Sequence, residues 1–196
     1  MSCTLVLFGK ILYNILMKVL VINGHKYYSY AQGKLNKTLF DTIVDTLKPL
    51  HEIKTTVIQE GYDAEEEIAK FLWADIIVFQ TPVNWFGMPG MFKTYVDEIY
   101  RYGVFYGPSE SYGKGGLLKG KKYMYSLTWN TPREEFNKPN GFFDNKSVDD
   151  VIIAMHKLQE FCALEKIETF SVHDVVKNPN VPEFVQQLKE HLKTHI

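Results

Sequence analysis

Cysteine is scarce in this sequence, with only Cys3 and Cys162 among 196 residues. Two cysteines so far apart form no CxxC redox pair and no metal-binding cluster. Free thiols in a reducing cytoplasm are a simpler interpretation than a single disulfide, so we expect a cytoplasmic protein. The six histidines show no HExxH or other metal-ligand spacing, and we therefore expect no metal site.

The sequence also lacks an excess of positive or negative charge, and it lacks long apolar runs. The net charge is −1 and no basic run occurs, so the protein has no positive electrostatic field that would attract nucleic acid. No segment is long and apolar enough to predict a bilayer-spanning helix. We therefore expect neither a nucleic-acid partner nor an integral membrane protein.

Residues 1–16 are apolar, but they lack the features of a signal peptide. They have no basic leading region, they are interrupted by Lys10, and they contain no small-residue cleavage site. We interpret them as an N-terminal extension to a domain spanning residues 17–196. The alternative is an apolar segment that covers a sheet edge or joins a dimer interface.

The remaining composition is that of one globular domain, with 45% hydrophobic and 23% charged residues. Predicted strands alternate with predicted helices five times along the chain. The strands span 18–23, 52–58, 76–79, 121–127 and 167–172, and the helices span 35–47, 64–73, 92–100, 148–161 and 182–192. This alternation predicts an α/β fold of the flavodoxin-like kind: a five-stranded parallel sheet, order 2-1-3-4-5, with helices on both faces.

The stretch after the third strand, TPVNWFGMPG, is the centre of the pattern. Open α/β sheets bind ligands beyond the carboxyl ends of their strands, and this turn lies at such an end. Trp85 and Phe86 beside two Gly and two Pro indicate a flat, rigid ligand face. The alternative is that both aromatics simply cover the core.

Two further loops are predicted at the same edge. After the first strand, Ser29, Gln32, Gly33 and Asn36 precede a helix N-terminus, an arrangement that favours an anion. The spacing matches neither GxGxxG nor the P-loop, and Gly33 and Asn36 could be plain turn and cap residues. After the fourth strand, residues 128–131 add amide and aromatic groups. The three loops together suit the flat ring, polar edge and phosphate of a flavin. We expect His25, which lies beside the first of these loops, to make a turn contact rather than a ligand contact.

Several segments together resemble one family. They are NGHK, GKLN, FLWADIIVFQTP, FKTYVDEIY, YGKGGLLKGKKYMYSLTWN and DVVKNPNVP. In this order they resemble the modulator of drug activity B family of NADPH:quinone reductases, which are flavodoxin-like FAD enzymes. The resemblance runs from Met17 to the C-terminus and leaves residues 1–16 outside it.

The resemblance implies FAD as cofactor, NADPH and a quinone as substrates, and a homodimer with each site near the subunit boundary. Residues implied to hold the pyrophosphate are Ala31, Gln32, Gly33, Lys34, Leu35, Asn36, Lys37 and Thr38. Residues implied to line the isoalloxazine are Val83, Asn84, Trp85 and Phe86 on one side and Thr128, Trp129, Asn130 and Thr131 on the other, with Tyr112 reaching FAD from one side of the dimer. Ala31 stands where the family often has Ser, and Asn84 where relatives often have Trp.

This resemblance implies chemistry at flavin N5 and no catalytic side chain. NADPH would deliver hydride, and a quinone would then take two electrons in the same space, with a protective role in oxidative stress. Three alternatives stay open. They are an FMN-carrying electron-transfer flavodoxin, disfavoured by the near-neutral charge, a non-enzymatic flavin-binding redox regulator, and an azo- or nitroreductase.

Overall fold

A parallel β-sheet forms the middle layer of the protein. The computed structural model describes residues 16–196. The strands are β1 (Lys18–Asn23), β2 (Glu52–Val57), β3 (Ile76–Pro82), β4 (Lys122–Thr128), β5 (Glu165–Lys166) and β6 (Phe170–Val172). Their order is β2-β1-β3-β4-β5, with β6 also paired to β4, and every pairing is parallel. The predicted α/β fold and strand order are confirmed.

The helices cover both faces of the sheet. They are α1 (Lys34–Leu47), α2 (Ala64–Trp73), α3 (Gly90–Ile99), α4 (Val148–Val151), α5 (Ile153–Phe161) and α6 (Val181–His195). Alternate residues of the inner strands point to opposite faces, so β1 places Val19 and Val21 against α1 and α6. Leu20 and Ile22 face the other layer, which α2, α3 and α5 provide. This double coverage explains why the inner strands are apolar throughout.

The predicted fifth strand, 167–172, is wrong as a single element. Tyr123 pairs with Lys166 and Ser126 pairs with Phe170, so three steps along β4 match four steps along the edge. The extra residue is a β-bulge, which splits this edge into β5 and β6 and gives the sheet a sixth strand. Bulges are common at sheet edges because no further strand has to follow the shift.

The predicted helix 148–161 is also divided. Ser147 and Asp150 form a capping box at its start. The helix then breaks at Ile152, whose φ of −100° and ψ of 24° separate α4 from α5. Val148, Val151, Ile152 and Ile153 are β-branched and stiff in a helix, which weakens this region. The other predicted elements agree with the structure to within three residues at each end.

Most of the predicted N-terminal extension, residues 1–15, lies outside the described residues, so the domain boundary at residue 17 stays a prediction. Within residues 16–196, no helix has both the length and the apolarity that crossing a bilayer requires.

Candidate functional site

A cavity of about 1000 Å³ opens at the carboxyl ends of the strands. Three loops form most of it: the first loop (residues 24–33) after β1, the second loop (residues 83–89) after β3, and the third loop (residues 129–132) after β4. Val175 and Val176, which follow β6, add an apolar patch to the wall. The β1 and β3 strands lie side by side, while the chain leaves them for opposite faces, and this leaves space between their loops.

The positive end of α1 faces this cavity. The helix begins after Gly33, whose φ of 73° is left-handed, and no side chain caps it. Its first turn contains no acidic residue, and Gly33, Lys34 and Leu35 line the cavity. The first N–H groups of a helix have no partner within the helix, so they bind an anion well.

His25 is buried at the same wall and contacts the turn of the first loop. Its Nε2 lies 3.2 Å from the Ala31 carbonyl oxygen, so this nitrogen carries the donated proton. The other nitrogen, Nδ1, is buried and has no partner among the described residues. Burial lowers the pKa of His25, which keeps the ring neutral in the free protein.

The first loop presents two tyrosines next to the helix end. Tyr28 and Ala31 exchange backbone hydrogen bonds of 3.0 and 3.1 Å, which close a tight turn over Ser29 and Tyr30. The Tyr28 and Tyr30 rings stack with centroids 5.2 Å apart, and both residues line the cavity. The turn therefore offers an aromatic surface beyond the helix N-terminus.

The second loop holds its aromatics in a strained conformation. Asn84 and Gly87 exchange backbone hydrogen bonds of 2.9 and 3.1 Å around Trp85 and Phe86, whose φ values are 48° and 65°. Two positive φ values define a type I′ turn, which normally carries Asn-Gly because bulky residues are strained there. Such strain costs of order 1–3 kcal/mol per residue and concentrates at functional sites. The result is a Trp85 side chain that is 94% exposed at the cavity.

A buried polar network connects the strands beneath the cavity. Asn36 of α1 donates to Asn23 of β1 at 2.7 Å and accepts from Gln80 of β3 at 3.0 Å. Ser126 of β4 donates to Gln80 at 2.6 Å. Satisfied networks of this kind fix the relative positions of their elements, because each broken link would leave a buried polar group unpaired.

The end of β4 contributes Thr128 to the lining, and the third loop contributes Asn130. Trp129, between them, is only 2% exposed, and its ring packs on Phe136 with centroids 5.0 Å apart. Its backbone N–H and carbonyl are occupied by Val172 and Val175. Thr131 accepts a hydrogen bond from His173 Nδ1 at 3.2 Å and lies outside the lining. Trp129 thus supports the wall from behind.

Most of the predicted site residues come together in this cavity. Those that line it are Ala31, Gln32, Gly33, Lys34, Leu35, Asn36, Val83, Asn84, Trp85, Thr128 and Asn130. Lys37 and Thr38 continue α1 beyond the lining, and Phe86 packs against Phe142 and Phe143. Tyr112 is 97% exposed and lines a separate cleft with Tyr106 and Phe161.

Five lining residues belong neither to the predicted site residues nor to the TPVNWFGMPG stretch: His25, Tyr28, Tyr30, Val175 and Val176. His25 makes the turn contact that the sequence predicted and reaches the cavity as well. Val175 and Val176 follow the last strand, so their place at the carboxyl edge could have been found from the strand order. Within the described part of the chain, no group of three His, Cys, Asp or Glu residues could hold a metal ion.

A family model described as a flavodoxin-like fold matches residues 17–196. Two curated relatives are each 42% identical to this chain. One is an NADPH:quinone oxidoreductase, MdaB, of Haemophilus influenzae, aligned over 90% of this chain and 98% of its own. The other is an uncharacterised protein of Schizosaccharomyces pombe, aligned over 90% of this chain and 95% of its own.

Among solved structures, a Klebsiella pneumoniae protein that is regarded as a quinone reductase superposes with a TM-score of 0.78. It is 24% identical and covers 91% of this chain and 84% of its own, so it supports the fold.

Proposed function

The chain belongs to the flavodoxin-like family and, within it, to the modulator of drug activity B group, and from this membership we propose that it is a flavin-dependent NADPH:quinone oxidoreductase. One observation carries the proposal: a single cavity joins an uncapped helix N-terminus to the exposed face of Trp85. The first feature suits a phosphate, and the second suits a flat ring system. The H. influenzae relative bears the name of this activity.

The residues of the cavity fit a flavin. The α1 N-terminus would hold phosphate, together with Ala31, Gln32, Lys34 and neighbouring residues of the predicted set. Val83, Asn84, Thr128 and Asn130 would surround the ring system, with their amides and hydroxyl near its polar edge. A bound flavin supplies the redox chemistry, because it accepts hydride from a nicotinamide and passes two electrons to a quinone.

FAD is the flavin that we propose, and the first loop supports this choice. FMN ends at its phosphate, whereas FAD continues to an adenine ring. The stacked Tyr28 and Tyr30 lie beyond the phosphate-binding helix end in the same cavity, and an exposed aromatic face is a suitable partner for adenine.

The overall reaction balances with one solvent proton. NADPH gives up a hydride, the quinone gains two electrons and two protons, and the products are NADP⁺ and hydroquinone. No side chain in the cavity has to act as a nucleophile or a general base in this scheme. Trp85 would orient the planar reactants by stacking, and backbone N–H groups of the loops would stabilise negative charge at the ring edge. Two-electron reduction avoids one-electron reduced quinones, so a protective role in oxidative stress is part of the proposal.

A homodimer completes the proposal. Tyr112 was predicted to reach FAD, yet it does not line the cavity of its own chain, and its side chain is free to meet a second copy. In the dimer, Tyr112 of one subunit would therefore contact the cavity of the other subunit.

The test follows the redox state of the purified protein. We expect the visible absorbance of a flavin, the mass of FAD after extraction, bleaching by anaerobic NADPH, and recovery of colour when menadione is added. A colourless protein, or a bound flavin that NADPH does not bleach, would contradict the enzyme and favour a regulator. Extraction of FMN alone would contradict FAD.

A further inference from the structure

An exposed aromatic surface leads away from the cavity. It consists of Trp85, Phe86 and Phe142, and we call it the aromatic shelf. Trp85 lines the cavity, Phe86 follows it in the strained turn, and the Phe142 ring lies 5.7 Å from the Phe86 ring, centroid to centroid. Phe142 is 72% exposed. Single exposed aromatics are ordinary, but a contiguous series that starts at a ligand cavity indicates a binding surface.

The loop that carries Phe142 is firmly anchored. Its neighbour Phe143 is buried and stacks on Phe136 with centroids 4.8 Å apart. Backbone hydrogen bonds close the loop, from Asn137 to Lys146 at 2.9 Å and from Lys146 to Phe143 at 2.8 Å. With Phe143 turned inward, the backbone holds Phe142 outward against Phe86.

The loop is also rich in residues that adopt the left-handed conformation at low cost. Asn137, Asn140, Asp144 and Asn145 all have positive φ, between 49° and 63°. Asn and Asp tolerate this conformation better than other non-glycine residues. The loop is thus built to a defined shape, in contrast to the strained Trp85–Phe86 turn that it supports through Phe142.

We propose that the aromatic shelf binds the apolar side chain of the quinone, so that the preferred acceptors carry an alkyl or isoprenoid chain. This inference rests on the proposed function. The quinone ring occupies the cavity beside Trp85, and its chain lies along Phe86 and Phe142 outside it. Each methylene group that the shelf removes from water strengthens binding. Val176, which is exposed on the cavity wall, extends the apolar surface at the same opening.

The experiment compares two quinones that share one ring, 2,3-dimethoxy-5-methyl-1,4-benzoquinone and its 6-decyl derivative. For the holoenzyme we expect a higher kcat/KM with the decyl compound. In Phe142→Ala we expect the ratio of the two kcat/KM values to fall about tenfold, which corresponds to about 1.4 kcal/mol. Comparing ratios between variants cancels the difference in redox potential between the two quinones. Phe142→Trp should keep the ratio, because it restores an aromatic surface.

A binding measurement without NADPH gives a readout other than activity. Each quinone is titrated into the holoprotein, and quenching of tryptophan emission gives its Kd. We expect Phe142→Ala to weaken binding of the decyl compound about tenfold more than binding of the ring compound. The matched control is Leu72→Ala, which removes an exposed apolar side chain from the end of α2 and should leave both ratios unchanged.

The outcomes separate the two proposals. Equal ratios in the unmodified protein and Phe142→Ala, with both quinones reduced, would overturn the shelf and leave the reductase intact. If the ratio of the two kcat/KM values fell equally in Leu72→Ala, the role of the shelf would be overturned as well, because the effect would not be specific to Phe142. Failure of the unmodified protein to reduce either quinone would overturn the proposed function and the shelf together.

Discussion

At the scale of single residues, Gly33 is the position where the site tolerates least change. Its φ is 73°, and a Cβ atom would lie 1.9 Å from His25 Cδ2. Gly33→Ala must therefore displace His25 from the Ala31 carbonyl and disturb the start of α1. We expect a loss of stability greater than the 1–2 kcal/mol or so of left-handed strain, and flavin affinity lower by at least about tenfold. Urea unfolding of the apoprotein and fluorescence titration with FAD measure the two effects.

Gly120 provides the matched control, because its φ is 78° and nothing lies within 4 Å of its would-be Cβ. Gly120→Ala carries the same backbone strain without the clash and should bind FAD like the unmodified protein. Equal FAD affinities in the two variants would show that the His25 contact does not shape the cofactor site.

We expect His173 to make the stability of the folded protein depend on pH. Its Nδ1 donates to Thr131, the Ser171 hydroxyl lies 2.9 Å from its Nε2, and its ring lies parallel to Trp129. Burial lowers the pKa of His173 from 6.5 to about 4. As the pH falls below 6.5, the unfolded chain takes up a proton before the folded protein does, so the stability present above pH 6.5 is lost toward pH 4. This contribution should fall by roughly 2 kcal/mol between pH 7.5 and pH 5.

The measurement is urea unfolding of the apoprotein across this pH range, compared with His173→Gln. Glutamine keeps an amide donor for Thr131 but has no pKa in this range, so the variant should lose less stability on acidification. Above pH 7 the two profiles should run parallel. Parallel profiles down to pH 5 would show that His173 contributes nothing to the acid sensitivity.

At the scale of structural elements, the second loop has a strained backbone that lowers the stability of the protein and exposes two aromatic rings. Replacing Trp85-Phe86 by Asn-Gly supplies the residues that a type I′ turn favours. We expect the double variant to be about 1–3 kcal/mol more stable than Trp85→Ala/Phe86→Ala, because both lack the aromatic contacts and only the second keeps the strain. Both should lose quinone reduction by at least about tenfold. Urea unfolding and steady-state kinetics with menadione test these expectations.

The alanine double variant is the control for lost packing, since Phe86 contacts Phe142 and Phe143 in the native loop. If the two double variants were equally stable, the positive φ values would store no strain. Activity retained in both would remove Trp85 from the proposed mechanism.

The sequence predicted the strand order and the three-loop edge because these depend on periodicity, which local residues specify. It did not predict the bulge between β5 and β6, although Ile167, Phe170 and Val172 pack in the same core at spacings of three and then two residues. Nor did it predict the break at Ile152, because Val and Ile lower helix propensity only slightly and packing decides the outcome.

For the site, the sequence indicated residues that follow strands along the chain. It did not indicate which way each side chain points. This orientation distinguishes Trp85, which is exposed at the cavity, from Trp129, which is buried behind it. Both tryptophans lie just after a strand, and a proline follows each within four residues. Only the left-handed backbone of the second loop and the Phe136 contact of the third distinguish them.

At the scale of the whole molecule, the proposed homodimer would add to the cavity a residue that its own chain does not place there. The described chain closes the cavity at its floor, through the Asn23–Asn36–Gln80–Ser126 network, and at the α1 N-terminus. Tyr112 lies on the long connection between α3 and β4, with its ring 5.9 Å from that of Phe161 of α5. An exposed tyrosine beside a cleft of aromatic residues is typical of an interface between subunits.

Subunit mixing tests whether Tyr112 acts across this boundary. Tyr112→Ala should lower activity, whereas Tyr102→Ala, which removes another exposed tyrosine from the same connection, is the matched control and should not. Tyr112→Ala and Gly33→Ala chains are then unfolded together, refolded with FAD and assayed. A mixed two-fold dimer combines an intact cavity with an intact Tyr112 at one of its two sites, so random mixing should restore about a quarter of the unmodified activity. Activity no higher than the mean of the two variants would show that Tyr112 serves only its own chain.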